Sequence, residues 1–297
     1  MRPQNHTQMG TLAVSLSLTT LQLGNGLAVG LIDATGPGLA TALRVGISAV
    51  ALLPALLFSR YSTPPSLRQL LIYGVTLGLM QLSFYQAISL ITLSMAVCIE
   101  FLVPLIIGSV SSRSRRVRLP VAGAMIGLAL VADYTGEAPL AGILWASITG
   151  ILLSIYIKVG TELPRQTHPL VMLSKALWIA FPIAAGGFAL MPGKNLLPLE
   201  SLVVQAFLVA VMTMIIPFAL ELLAMKRLRP LSFALVSAMD PVLASAVGAI
   251  GLGQHLELRQ YTGVVVLTAC AVLAIRADTK LRTTRTLQVE QCRGKNA

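Results

Sequence analysis

Apolar segments recur ten times along the chain, separated by short polar or charged links. A run of about twenty apolar residues crosses the hydrocarbon core of a bilayer as a helix. The pattern therefore predicts an all-α integral membrane protein with ten transmembrane helices. The predicted helices are Thr11–Ile32, Gly38–Ser59, Gln69–Leu90, Leu93–Val110, Leu119–Ala132, Leu140–Val159, Pro169–Met191, Ser201–Ala224, Leu231–Leu252 and Gln260–Ala277.

Composition supports a lipid-facing surface. Hydrophobic residues make up 56% of the chain and charged residues only 11%, whereas a soluble domain carries roughly a quarter charged residues. The net charge of +11 lies in the links and at the C-terminus, so it indicates membrane topology and not a nucleic-acid partner. No Walker A loop, Cys-x-x-Cys pair or Cys/His cluster occurs, and we expect no cofactor and no metal.

The basic residues alternate between the two sides of the predicted membrane. Eighteen of the 22 Lys and Arg residues fall in the N-terminus, the even-numbered links and the tail, whereas the odd-numbered links carry Lys194 and Arg259. Cytoplasmic loops are enriched in Lys and Arg. We therefore expect a multi-pass protein of the inner (plasma) membrane with both termini and the basic tail, 278–297, in the cytoplasm.

The chain contains a weak internal repeat. With a shift of 137 residues, Ala87 falls on Ala224 and Pro104 falls on Pro241, and each segment carries a carboxylate shortly before its proline. The repeats would cover 10–133 and 140–277, with five helices each. Because five is odd, the second repeat enters the membrane from the opposite side, which is the inverted architecture of many secondary transporters.

The candidate charged residues within the predicted spans are Arg44, Glu100, Lys175, Glu221 and Asp240. Charged groups at such depth are costly and usually pair or line a polar cavity. Inverted symmetry would place Arg44 and Lys175 beside one central cavity. The alternative is that the two basic side chains form buried ion pairs or extend to an interface, and Glu221, near a helix end, could do the same.

Weaker candidates are polar or helix-breaking residues in the spans. Pro104 and Pro241 each remove a helical hydrogen bond and free a carbonyl, or simply kink the helix. Gln81 and Tyr85 are four residues apart and share a face, and Asn25 is a further polar candidate. Each of the three is alternatively an interhelical hydrogen-bond partner. Gly-x-x-x-Gly pairs at Gly26/Gly30, Gly74/Gly78 and Gly123/Gly127 predict close helix packing.

Several strings resemble a known family. They are Thr41-Ala-Leu-Arg44, Tyr73-Gly-Val-Thr-Leu-Gly78, Ile99-Glu-Phe-Leu-Val-Pro-Leu105, Ser111-Ser-Arg113, Pro217-Phe-Ala-Leu-Glu221 and Ser237-Ala-Met-Asp-Pro241. The chain resembles EamA-type transporters of the drug/metabolite transporter superfamily, and within it the threonine/homoserine exporter branch. The resemblance implies ten helices in two inverted repeats, an inner-membrane location and export of small molecules, with Arg44, Glu100, Glu221 and Asp240 as motif positions.

The leading hypothesis is a proton-linked or gradient-driven exporter of a small polar metabolite such as an amino acid. Its partners would be a small-molecule substrate and the lipid bilayer, and a homodimer is left open. A passive channel or an exporter of another drug-like metabolite is the alternative. A membrane-embedded enzyme is disfavoured because His6, His168 and His255 all lie in predicted loops or tails, away from any cluster of catalytic residues.

Overall fold

The computed structural model describes residues 3–61, 63–91, 93–111, 115–131, 139–163, 167–190, 198–228, 230–240, 242–243, 257–270 and 273. Within these ranges every regular element is helical. A 3₁₀ stretch, Leu53–Tyr61, follows α2, and a π-helical turn, Val211–Ile215, joins α8 to α9. The helices are α1 Pro3–Thr35, α2 Pro37–Ala51, α3 Leu67–Ile88, α4 Leu93–Ser111, α5 Arg115–Val131, α6 Leu140–Glu162, α7 Pro169–Leu190, α8 Leu199–Ala210, α9 Ile216–Met225, α10 Pro230–Ser237 and α11 over 258–270.

Among the described residues, five helical segments are long and apolar enough to cross a bilayer by length and composition: Gln8–Thr35, Leu67–Ile88, Leu140–Glu162, Pro169–Leu190 and Glu200–Met225. Three shorter apolar helices accompany them, and large apolar side chains such as Leu57, Ile126 and Val204 are exposed. An exterior of this kind suits lipid and not water. The prediction of an all-α membrane protein is therefore confirmed, whereas the count of ten spans stays a prediction.

Helix bounds differ from the predicted ones in several places. The first helix begins at Pro3 and not near Thr11. The second predicted span is wrong as one α-helix, since α2 ends at Ala51 and continues as 3₁₀. Pro54 explains this break, because it lacks the N–H that an α-helix would use there.

The ninth predicted helix is interrupted before its carboxylate. Helix α10 ends at Ser237, and Met239 bonds three residues back, to the carbonyl of Val236, as in a tight turn. Asp240 follows that turn directly. Pro241, the predicted helix break, lies outside the described residues, as does the rest of the predicted span from 244 onward.

Gly36 makes the turn between α1 and α2. Its φ is 81°, a conformation that glycine adopts without the Cβ clash of other residues. Pro37 follows at the first position of α2, where a missing N–H costs nothing. The predicted boundary at Gly36–Pro37 is confirmed.

Helices of the two predicted halves interdigitate. Helix α3 packs against α6 and α7, α2 packs against α7, α4 packs against α6, and α1 packs against α9. Added Cβ atoms at Gly74 and Gly78 would meet Ile179 and Ala180 of α7 within about 3 Å, so this pair permits close packing as predicted. The same interpretation is wrong for Gly26 and Gly30, which meet nothing within 4 Å among the described residues.

Pro104 lies within α4 and does not end it. In an α-helix the residue at 104 would donate to the carbonyl of Glu100, and proline cannot. That carbonyl abuts Gly150 of α6, where an added Cβ would come within 2.6 Å of it. The predicted free carbonyl therefore lies at the α4–α6 contact.

Candidate functional site

A cavity of about 60 Å³ lies among α1, α2, α3, α4, α6, the π-helical turn and α9. A single water needs roughly 10–15 Å³ on this scale, so the space suits a few waters or part of a small polar molecule. Six of the predicted site residues line it, and they come from separate parts of the chain. These six are Asn25, Arg44, Gln81, Glu100, Glu221 and Asp240.

Arg44 supplies the positive charge of the cavity. Its guanidinium carbon lies 4.4 Å from the centre of the Tyr85 ring, and Nη1 donates to Thr213 Oγ1 at 3.1 Å. Nε and Nη2 have no hydrogen-bond partner among the described residues, although Arg44 is only 2% exposed. A buried guanidinium with two unused donors is suited to an anionic ligand.

Thr213 is held in place by the π-helical turn. Its hydroxyl donates to the carbonyl of Val209 at 2.6 Å while it accepts from Arg44. Turns with π-helical bonding are frequent at functional sites, and Pro217 follows here. Gly24 of α1 packs on this turn, since an added Cβ would come within 2.6 Å of the Thr213 methyl group.

The three carboxyl groups of the cavity have different hydrogen-bond partners. Glu221 accepts from Tyr156 Oη at 2.9 Å on one oxygen and from Ser17 Oγ at 3.4 Å on the other. The Ser17 hydroxyl shares its single proton with the carbonyl of Pro217 at 3.2 Å. Asp240 Oδ1 accepts from Gln22 Nε2 at 2.6 Å. The Glu100 carboxyl group has no hydrogen bond or ion pair with a described residue.

An aromatic cluster closes the cavity beside Glu221. The rings of Tyr73 and Tyr156 lie 4.8 Å apart, and Phe218 meets Tyr156 edge-on at 5.6 Å. Tyr73 and Tyr156 are fully buried. The cluster holds the Tyr156 hydroxyl in a fixed position, because packed rings leave the side chain few rotamers.

The remaining predicted residues have other positions. Tyr85 lies under the Arg44 guanidinium and is fully buried. Pro104 is buried in α4. Lys175 is half-buried on α7 and is not among the residues that line this cavity, so the expected pairing of Arg44 and Lys175 beside one cavity is not observed. Glu221 points inward to Tyr156 and does not extend to an interface.

Sequence reasoning missed two of the neutral residues that hold the charged ones. Ser17 and Tyr156 bond to Glu221. Gln22, a polar candidate of the first predicted span, bonds to Asp240 and accepts from Asn25 Nδ2 at 3.4 Å. Ser17 shares a face of α1 with Asn25, which is the signal that could have pointed to it.

The arrangement can hold a small molecule that carries both charges. Its lining includes one cation, three carboxyl groups and two amides, and neither histidine nor cysteine is among the described lining residues. Fold and site together define a multi-pass helical membrane protein with a charged central cavity.

Comparisons with known proteins agree with that class. The model of the EamA-like transporter family matches residues 140–276. The threonine/homoserine exporter RhtA of Salmonella typhimurium is 31% identical over 299 residues, covering 94% of each chain. RhtA of Escherichia coli K12 is 29% identical, covering 90% of this chain and 92% of its own. The chain belongs to the EamA-like transporter family, whose members are transporters and not enzymes.

The fold itself has a solved relative. A crystal structure with 21% sequence identity superimposes with a TM-score of 0.70 and covers 92% of this chain and 98% of its own. Agreement over nearly the whole length of both chains shows that the fold is shared.

Proposed function

We propose that this chain is a secondary exporter of an amino acid or a similar small polar metabolite across the inner membrane. One observation carries the proposal: a single cavity holds an unpaired Arg44 together with the carboxyl groups of Glu100, Glu221 and Asp240. Buried charges without partners are costly. A zwitterionic ligand would supply the missing opposite charges at both ends.

Within this proposal Arg44 binds the carboxylate of the substrate. The two unused donors of its guanidinium, Nε and Nη2, match the two oxygens of a carboxylate. The ammonium group would lie toward Asp240, whose Oδ2 is not engaged by Gln22. Relatives named as threonine/homoserine exporters make these two amino acids the first substrates to test.

The predicted inverted repeat belongs to the same proposal. Exchanging the two halves would map the first predicted helix on the sixth, the second on the seventh, the third on the eighth and the fourth on the ninth. The eighth predicted helix corresponds to α8 and α9, and the ninth begins with α10. The contact of α3 with α6 then corresponds to that of α1 with α8 and α9, and the contact of α4 with α6 corresponds to that of α1 with α10. These matched contacts support ten spans in two inverted halves, 10–133 and 140–277, with cytoplasmic termini.

Counterflow in proteoliposomes tests the export function. Vesicles loaded with unlabelled threonine or homoserine should take up the labelled amino acid transiently. In a separate measurement of efflux, an inward-directed proton gradient should change the rate at which the substrate leaves the vesicles. Arg44→Gln should abolish uptake. Absence of counterflow for either amino acid, with intact protein in the vesicles, would contradict the proposed substrates.

A passive channel is the rival that the polar cavity also allows. An open pore conducts without trans-stimulation, whereas a carrier that alternates between two states speeds up when substrate is present on both sides. Uptake that is unaffected by internal substrate would therefore favour the channel.

A further inference from the structure

The carboxyl groups of the cavity form a graded series. Glu221 has a donor on each oxygen, Asp240 has one on Oδ1, and Glu100 has none among the described residues. Hydrogen bonds donated to a carboxylate stabilise its charged form. Of the three carboxyl groups, Glu100 is thus the one whose negative charge is stabilised by the fewest hydrogen bonds from the protein.

We propose that Glu100 is the residue that carries the coupling proton, and that Glu221 is a positioning residue held as an anion by Tyr156 and Ser17. The assignment rests on the proposed function and specifies which carboxyl group links transport to a proton gradient. Glu100 lines the cavity. A proton would therefore reach its carboxyl group through the cavity, by the route that the substrate also takes. Tyr156 and Ser17 instead occupy both oxygens of Glu221.

The surroundings of Glu100 favour this role. The charges of Asp240 and Glu221 interact with it, and Arg44 lies in the same cavity. Among the described residues, the facing helices add three tyrosines. The Tyr156 hydroxyl of α6 donates to Glu221. The rings of Tyr73 and Tyr85 of α3 contact Tyr156 and Arg44, and their hydroxyls have no hydrogen-bond partner in the described part of the chain. Helix α5 carries arginines in its first turn alone, and α4 itself adds Cys98.

The step involves only one O–H bond. A proton from external water adds to the Glu100 carboxylate, which removes one negative charge from the cavity beside Asp240 and Glu221. After the cavity opens to the cytoplasm, the O–H bond breaks, the proton leaves to that side, and the restored carboxylate can accompany a substrate ammonium group. One proton moves inward for each cycle and no oxidant or other reactant is needed.

Infrared difference spectra against pH test the assignment without any substrate. On acidification, purified wild-type protein should gain the high-frequency band of a buried protonated carboxyl group without hydrogen bonds, distinct from the bands of solvent-exposed Asp and Glu. Glu100→Gln should lose this band. Glu221→Gln should keep it. Tyr156→Phe combined with Ser17→Ala should enlarge the band, because Glu221 then loses both donors and binds a proton more readily. A band that persists in Glu100→Gln and vanishes in Glu221→Gln would overturn the proposal.

Transport assays give the second readout. In proteoliposomes the ratio of threonine flux with and without a pH gradient should fall to one in Glu100→Gln, whatever its basal rate, and Glu100→Asp should restore part of it. A Glu100→Gln protein with the wild-type ratio would contradict the assignment. If wild-type protein moves neither threonine nor homoserine, the proposed function fails, and the infrared result still decides between Glu100 and Glu221.

Discussion

Arg44 shows how neutral neighbours keep a charge inside a membrane protein. The Tyr85 ring offers its electron-rich face to the guanidinium at 4.4 Å, and Thr213 accepts one hydrogen bond. A cation over an aromatic ring gains about 2 kcal/mol or more when it is desolvated. These contacts use one face and one nitrogen of the guanidinium, which leaves Nε and Nη2 without a hydrogen-bond partner among the described residues.

Arg44→Lys tests whether the shape of the guanidinium matters as well as its charge. An ammonium group cannot form the two parallel hydrogen bonds that a carboxylate accepts from arginine. One lost hydrogen bond to a charged group costs about 1.5–3 kcal/mol, so KM for threonine should rise roughly ten- to a hundredfold. Measurements of counterflow against substrate concentration give that KM.

Lys175→Gln is the matched control, because it removes the other intramembrane base, which lies off the cavity. Its KM should stay near the wild-type value. If Arg44→Lys left KM unchanged, or Lys175→Gln raised it equally, Arg44 would not be the carboxylate ligand.

At the scale of helices, a proline and a glycine on different elements act together. Pro104 frees the carbonyl of Glu100, and Gly150 of α6 is the residue that packs against that oxygen. Contacts between Cα–H groups and carbonyl oxygens are common where helices approach closely. The α4–α6 contact therefore fixes the backbone at Glu100 and with it the side chain in the cavity.

Gly150→Ala should separate α4 from α6. The new Cβ would come within 2.6 Å of the Glu100 oxygen and 2.8 Å of Val103 Cβ, and backbone cannot move aside as a flexible side chain can. We expect a loss of about 1–3 kcal/mol in the free energy of unfolding, seen as a lower Tm in detergent, together with slower counterflow.

Gly26→Ala provides the contrast on α1. Nothing lies within 4 Å of the added Cβ among the described residues, and alanine is the better helix former by about 1 kcal/mol. Its Tm should equal or exceed the wild-type value. A Gly150→Ala protein as stable and active as Gly26→Ala would show that the α4–α6 contact tolerates separation.

Part of this arrangement could be predicted from sequence and part could not. Arg44, Glu100 and Asp240 stand out because charges are rare in apolar runs, and the structure places them in one cavity. Tyr156 and Ser17 give no such signal, since single hydroxyls are common in membrane helices. Their partner Glu221 lies 65 and 204 residues away in sequence, a separation that hydropathy cannot bridge.

At the scale of the whole molecule, the contacts between helices match those that the proposed repeat would produce. The first helix of each predicted half packs on the predicted third and fourth helices of the other. Side chains from both halves therefore meet in the cavity, as with Arg44 and Thr213 or with Glu100 and Asp240. Relative motion of the halves would change those contacts, which is how such a fold can alternate access.

Inverted halves predict that equivalent positions lie on opposite sides of the membrane. Leu67 is the first residue of α3 and Glu200 is the second residue of α8, and each of these helices starts the third predicted span of its predicted half. Both residues are exposed. On a background without Cys98, Cys270 and Cys292, Glu200→Cys should react with a membrane-impermeant thiol reagent in intact cells. Leu67→Cys should react only after the membrane is permeabilised.

The pair tests the direction of the chain because both positions lie at the start of the third span of their predicted half. Labelling of both cysteines from the same side would mean that the halves run in parallel or that a predicted span does not cross. Glu257→Cys, in a link predicted to be external, should follow Glu200→Cys, and Lys158→Cys should follow Leu67→Cys. Agreement of all four requires an even number of crossings between residues 67 and 158 and an odd number between residues 158 and 200, as two inverted five-helix halves predict.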